Sequence, residues 1–277
     1  MEPISLDLLA AGVPDGALLA LPPDNSLSPV AFAGALIRRG VRGLRLLGVP
    51  VSGFATDLLI GAGCVASVQT SAVTLGEAGT APRFVAALAA GTIEVIDATC
   101  PAIHAMLQAA EKGVPFMPLR GVIGSDLLAH RPDWKVIDNP FAASGPFAGS
   151  GDPILLLPAL APDIAAFHAL AADRDGNVFV GRRGELATLA HAARRSFVTV
   201  ERMSENNLLE DERLASGVIN GLYVEQIAVA ERGAWPLAVL DAYAADAAHI
   251  AEYARLARTA DGFARYLDQF VMGRVAA

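Results

Sequence analysis

Lysine is almost missing from these 277 residues: only Lys112 and Lys135 occur. There is no basic run, and the formal net charge is −8. A chain of that balance lacks the electrostatic footprint of a nucleic-acid binder. Cysteine is also scarce. Cys64 and Cys100 are too few for a disulfide framework or a zinc site, so a reduced cytoplasm is the expected compartment. The start, MEPISLDLLAAGVPDG, has no basic n-region of the secretory kind. No apolar run free of charges and breakers is long enough to span a membrane. The most apolar one, Ile154–Ala161, is short and interrupted or flanked by Pro153, Pro158 and Pro162, and it reads as a buried strand. None of the five histidines lies beside a serine or cysteine nucleophile in sequence. His104, His168 and His191 fall on apolar stretches and read as packed.

What the chain has in excess is apolar residues, 53% of the total. Much of the surplus is alanine, which suits packed helices against a sheet covered on both faces. It also leaves room for a subunit interface, because obligate interfaces resemble a cut core. The length can bury a substantial core. No linker-like break and no internal repeat is visible, so residues 1–277 are expected to form a single domain.

The stretch from Gly91 to Asp126 organises the rest. Thr92–Ile96 alternates β-branched and polar residues and predicts a strand. Asp97-Ala98-Thr99-Cys100-Pro101 stops it, with Thr99 placed as N-cap and Pro101 in the first helical turn. Ile103, Met106, Leu107 and Ala110 recur at helical spacing, and Gly113 closes the helix. Val114–Pro118 predicts a second strand, followed by the polar turn Arg120–Asp126. Together these form a βαβ unit, and both polar loops leave carboxyl ends of strands, where open α/β sheets collect ligands.

Further strands are predicted at Ala17–Leu21, Leu44–Val49, Cys64–Ser71, Ile154–Leu157, Ile164–Leu170, Phe197–Glu201 and Tyr223–Ala230. Val178–Val180 is expected to pair across the turn Asp173–Asn177 or to run on to the next helix. Helices are predicted from Ser28 (N-cap) and Pro29 (N1) through Arg38, and at Thr56–Gly61, Pro82–Ala90 and Glu185–Ala193. Ala245–Val271 is helical with breaks near Thr259 and Gly262. Arg131–Ser150 reads as irregular, with Pro132, Pro140, Phe141 and Phe147 packing the loop. Alternating strands and helices predict a layered α/β fold, largely parallel, with helices on both faces.

The central stretch also resembles a known family. Ile93-Glu94-Val95, a polar quartet, a helix, then Gly113-Val-Pro-Phe-Met-Pro-Leu-Arg-Gly-Val-Ile-Gly-Ser-Asp126 is similar to the A (alpha) subunits of family I CoA-transferases. The likeness is greatest to the glutaconate CoA-transferase A type, and it runs from about Gly40 to Met203. It implies an open α/β fold and an enzyme that moves coenzyme A between an acyl-CoA thioester and a small free carboxylic acid. In that family the thioester is attacked by a glutamate on a separate B (beta) chain. The resemblance therefore implies a B-chain partner, CoA thioester as substrate rather than a bound cofactor, and no nucleophile on this chain. The same fold serves ring-cleaving CoA-thioester hydrolases, and a non-catalytic homologue that stabilises its partner is a further reading.

On that resemblance Ser71, Asp97, Thr99, Arg120 and Gly124 are the candidate substrate-binding residues. Ser71 ends a strand before a glycine-containing loop, and reads equally as a wall hydroxyl or an ordinary strand end. Asp97 stands in the family's polar quartet; it can act as a base in a closed site or merely support the turn. Arg120 could grip a carboxylate with its fork, or pair with Asp126 and tie the loop to itself. Cys100 at a helix start reads as a small buried hydrophobe. Ser204-Glu205-Asn206-Asn207 resembles the Ser-Glu-Asn-Gly motif of B subunits, but the preceding Val198–Met203 matches the A pattern, and the match is taken as accidental. One departure stands out. The family's Gly-Gly-Phe loop after the first strand is replaced by Pro22-Pro23-Asp24-Asn25.

Overall fold

The computed structural model describes residues 1–142 and 152–273. Phe147 lies outside the described residues. In chain order the elements begin α1 (Leu6–Ala11), β1 (Leu18–Leu21), α2 (Val30–Arg39), β2 (Leu44–Gly48), α3 (Phe54–Gly61), β3 (Val65–Thr70) and α4 (Pro82–Ala90). The middle holds β4 (Glu94–Asp97), α5 (Cys100–Glu111), β5 (Phe116–Leu119), β6 (Lys135–Asp138), β7 (Pro153–Pro158), β8 (Ile164–Ala172) and β9 (Val178–Phe179). The last third holds α6 (Gly184–Ala192), β10 (Ser196–Met203), α7 (Glu212–Ala215), β11 (Val218–Ile219), β12 (Gln226–Val229), α8 (Ala247–Leu256) and α9 (Ala260–Tyr266).

Nine of these strands form one sheet. β12, β10, β8, β1, β2, β3 and β4 lie side by side and all parallel. β9 and β11 add an antiparallel flap. Parallel strands need cover on both faces, and their sequences show it. β8 is buried along nearly its whole length, with Ala165, Phe167 and Ala169 facing one core and Ile164 and Ala166 the other. One face carries α1, α2, α3, α8 and α9; the opposite face carries α5 and α6.

Helix ends follow local chemistry. Thr99 caps α5, its Oγ1 accepting from the N–H of Ala102 at 3.4 Å, as expected. α2 closes on Gly40 at φ +74°, with Arg38 and Arg39 in its last turn against the negative helix end. Its first residue is Val30 rather than Pro29, and Ser28 makes no cap. Gly262 does not break the last helix; it sits inside α9, whose cap is Thr259.

The largest correction concerns the expected βαβ unit. β4 and α5 form, but β5 does not return to the main sheet. It joins a second, antiparallel sheet in the order β5-β7-β6. Pro118, facing Leu156, has no N–H to offer a ladder, which suits this short edge strand. The segment read as irregular contains β6, and Phe141 is 72% exposed rather than buried. β7, expected buried, is only partly so.

Asp57 on α3 is wholly buried and ties three helices. It accepts from the Tyr253 hydroxyl on α8 at 2.7 Å, and from the N–H groups of Phe84 (2.7 Å) and Arg83 (3.3 Å) opening α4. Burial raises its pKa, opposed by those bonds. Tyr253→Phe leaves the buried carboxyl short of one donor, so stability should fall by about 1–3 kcal/mol. Urea unfolding of the two proteins measures this, and an unchanged midpoint would contradict the assigned role.

Candidate active site

The loops that leave the carboxyl ends of β1, β2, β3 and β4 are stitched into one edge. The Ser52 N–H donates to the Ala72 carbonyl at 2.9 Å, and the Thr74 N–H to the Ser52 carbonyl at 3.1 Å. Ser71 Oγ donates to the Pro50 carbonyl at 2.9 Å, and Thr70 Oγ1 bonds the Ala72 carbonyl at 2.8 Å. Val49–Pro50 is a cis peptide. Gly48 is needed where these loops meet, because a Cβ there would overlap Ser52 Oγ and Thr70 Oγ1. Ser52 Oγ is buried beside them without a hydrogen-bond partner among the described residues.

Ser71 and the start of α5 come together. Ser71 Oγ lies 3.1 Å from Cys100 Sγ, one residue beyond the Thr99 cap. Cys100 is exposed, contrary to the expectation of a buried hydrophobe. Asp97 ends β4 with an exposed side chain. Its backbone carbonyl accepts from Arg131 Nη1 at 2.9 Å. Arg131 in turn holds Asp133 with both ends of its fork, at 2.9 and 2.7 Å, and stacks over Trp134. That pairing lowers the Asp133 pKa. Asp97, Gln69 and Arg131 line an open cavity of about 510 Å³ between β4 and the segment that leads to β6.

Arg120 and Gly124 lie in the turn that follows β5 of the second sheet. Gly124 has φ +84°. Arg120 does not pair with Asp126. Its fork grips Asp152 across the small sheet, with Nη2 to Oδ2 at 2.8 Å and Nη1 to Oδ1. Asn139 Nδ2 adds a bond to Asp152 at 2.7 Å. Arg120 first and Asn139 second hold the Asp152 carboxyl down to about 2. Glu205, in the B-like motif, faces solvent and pairs with Arg174 at 3.2 Å.

Two features escaped the sequence reading. His168 is buried as expected, but it is not idle packing. Nδ1 meets Thr199 Oγ1 at 2.9 Å and Nε2 meets Glu201 Oε1 at 2.8 Å. Glu201 also accepts from the Tyr243 hydroxyl at 2.8 Å and the Arg232 N–H at 2.7 Å. The second is Asp24, in the loop that replaces the glycines. Both its oxygens accept from the Phe54 N–H that opens α3, at 2.9 and 3.0 Å. Gly53 leaves the space in which the carboxyl sits. The unusual Pro22–Asn25 loop was the available signal for Asp24. No local pattern marks His168, whose partners lie 31 and 33 residues away.

Burial, with a smaller push from Asp57, raises the Asp24 carboxyl from 3.8 to about 7 against the Phe54 bond. The folded chain therefore holds this proton more tightly than the unfolded one. Its stabilising contribution is full below pH 3.8 and is lost as pH rises through about 7. Asp24→Asn keeps an acceptor for Phe54 and removes the titration. Urea midpoints should fall from about pH 4 to about pH 8 more steeply for the wild type than for the variant. Parallel pH profiles would contradict this.

Comparison with known proteins places the chain. The sequence profile of the family described as "Coenzyme A transferase" matches residues 5–230. An uncharacterised protein of Archaeoglobus fulgidus is 31% identical over 86% of this chain, which spans about half (52%) of that protein's length. The A (alpha) subunit of the 3-oxoadipate CoA-transferase of Pseudomonas knackmussii is 28% identical over 94% of this chain and 90% of its own. The crystal structure of glutaconate coenzyme A-transferase from Acidaminococcus fermentans superposes with a TM-score of 0.87 at 25% identity, covering 99% of this chain and 89% of that one. A nearly complete parallel sheet, a polar lip at its carboxyl edge and these matches agree: the chain belongs to the coenzyme A transferase family.

Proposed function

We propose that this chain is the A (alpha) subunit of a two-chain CoA-transferase. It moves coenzyme A from an acyl-CoA thioester to a free carboxylic acid. The observation that carries the reading is the carboxyl edge of the sheet inside a family match that covers most of the chain. That edge presents hydroxyls, backbone, the exposed Cys100 thiol and the exposed Asp97 carboxyl, while the inward carboxyls, Asp24 and Asp57, are consumed by the N–H groups that open α3 and α4. On this reading it serves as one wall of a site and the nucleophile stands on another chain. The reaction needs a carboxylate that attacks the thioester carbonyl, expels the CoA thiolate and forms a mixed anhydride; the thiolate then attacks the enzyme-side carbonyl, giving an enzyme–CoA thioester and releasing the first acid, and the acceptor acid reverses the two exchanges and leaves as its CoA thioester. On this reading a glutamate of a partner B (beta) chain supplies that carboxylate.

Ser71, Asp97 and Thr99 form the inner part of this chain's wall, beside Cys100. A hydroxyl there can meet the oxygen that gains charge in the tetrahedral intermediate. Arg120 and Gly124, in the turn after β5, form the outer rim, where the Arg120 guanidinium is 41% exposed even while Asp152 holds it. Residues 1–277 act as one unit in this scheme.

Co-expression with a B chain, followed by turnover of an acyl-CoA panel with and without acceptor acid, tests the reading. Formation of the acceptor's CoA thioester should require both chains, and Ser71→Ala should lower kcat/KM by about tenfold, the size of one lost polar contact. Thioester cleavage that proceeds equally well without acceptor would replace transfer by hydrolysis, with Asp97 as the base to test.

A further inference from the structure

β4 is the last strand of the large sheet. It pairs with β3 on one side, and no described strand lies on the other. The Ala98 N–H turns inward to the Thr70 carbonyl at 3.3 Å, while the Asp97 carbonyl turns outward to Arg131. Backbone groups alternate along a strand, so the Val95 N–H and carbonyl point outward as well. They face the cavity of about 510 Å³ that separates β4 from residues 130–133, within the range of small-molecule sites. Every residue from Glu94 to Asp97 lines it, a run of about 10 Å. The cavity therefore reaches Asp97, which pairs with Thr70 and stands at the polar edge beside Ser71 and Thr99.

Gln69 of β3 lines the same cavity, and its Nε2 is buried without a hydrogen-bond partner among the described residues. An orphaned buried donor is costly unless something at the site accepts from it. The charges on the walls decide which ligands enter. Of the basic residues, Arg131 is matched by Asp133, which its fork holds, and His130 is exposed to solvent. Glu94 and Asp97 remain, both exposed and neither in an ion pair among the described residues. Their field repels a free acid or a phosphate. A neutral chain that carries amides meets no such barrier, and its N–H groups find acceptors there.

We propose that this cavity takes the pantetheine arm of the CoA thioester, laid along the open edge of β4 as an added strand would be, with the Gln69 amide donating to one of its carbonyls. Naming the ligand as the arm of coenzyme A rests on the transferase reading above. The arm is neutral, and each of its amides offers one N–H and one carbonyl. One amide exchanges bonds with the Val95 N–H and carbonyl, as a peptide does when it augments a sheet edge. The sulfur end lies at Asp97, beside Ser71 and Thr99. The phosphates of the nucleotide stay outside the cavity, kept out by Glu94 and Asp97.

The test is titration of the full chain, labelled with nitrogen-15 at glutamine and valine, with S-methylpantetheine and with pantothenate. Both carry the pantoyl–β-alanine unit; the first is neutral and the second ends in a carboxylate. Gln69 is one of four glutamines, so its side-chain signal is assigned by its loss in Q69L. S-methylpantetheine should give saturable shifts at the Gln69 side chain and the Val95 N–H, and should bind about tenfold more tightly than pantothenate. Q69L should weaken S-methylpantetheine about tenfold, the size of one lost polar contact. Its urea midpoint should not fall, because Nε2 holds no described residue in place. Absence of saturable shifts at Gln69 and Val95, pantothenate bound as tightly as S-methylpantetheine, or an unchanged affinity in Q69L would each overturn the proposal. Failure of the two readings is distinguishable. Binding of S-methylpantetheine here without CoA transfer by the co-expressed pair would sink the proposed function alone, and transfer without shifts at β4 would sink this inference alone.

Discussion

The hydrogen bond from the His168 N–H to the Leu27 carbonyl is the constraint on which the rest of the molecule depends. β8 is buried on both faces, so its backbone groups must find partners within the protein. β1 and β9 each serve a few residues of one edge, and the loop after β1 must serve the middle. That requirement draws residues 22–28 across the sheet. It places Asp24 against α3, Ser26 against Glu185, and Asn25 and Leu27 along a crevice of about 470 Å³ between β1 and β9. The same strand carries the His168 side chain to Glu201, and Glu201 fixes the segment 230–243. One strand edge thus positions two walls at the carboxyl end of the sheet.

The polar lip follows a different logic. The loops after β2 and β3 bond to each other through backbone groups, and Gly48 lets them approach. Ser71 is held by the Pro50 carbonyl, so its oxygen is fixed in place before any ligand arrives. Asp97 differs from its neighbours: its side chain is exposed and its backbone is what Arg131 binds. The loop that replaces the family's glycines does not spoil this edge. Its Asp24 uses the N–H at the start of α3, closing that helix end.

Much of the fold was legible because local chemistry and tertiary need agree. The helix Pro82–Ala90 has its expected bounds, and Thr99 caps α5 as the sequence implied. The parallel strands read as apolar runs because both faces are covered. The second sheet was not legible. Phe116–Leu119 is extended in either arrangement, and nothing local says that its partner is Leu155–Pro158 rather than β4. The Arg120 pairing failed for the same reason, since Asp152 is 32 residues distant and Asp126 is near. Of the candidate site, the polar loops drew attention to Ser71 and Thr99, and Ser71 lies against Cys100, the residue after the Thr99 cap. Asp24 and the His168–Glu201–Tyr243 network were missed, because a buried polar cluster is specified by residues on separate strands and leaves no periodic trace.

The central claim is that this chain is one wall of a site whose nucleophile stands on another chain. Intact-mass analysis of both chains, after brief incubation of the co-purified pair with an acyl-CoA, tests it most directly. The account predicts a covalent CoA or acyl adduct on a glutamate of the partner and no change in the mass of this chain. An adduct on this chain, at Asp97 or any other carboxylate, would contradict it.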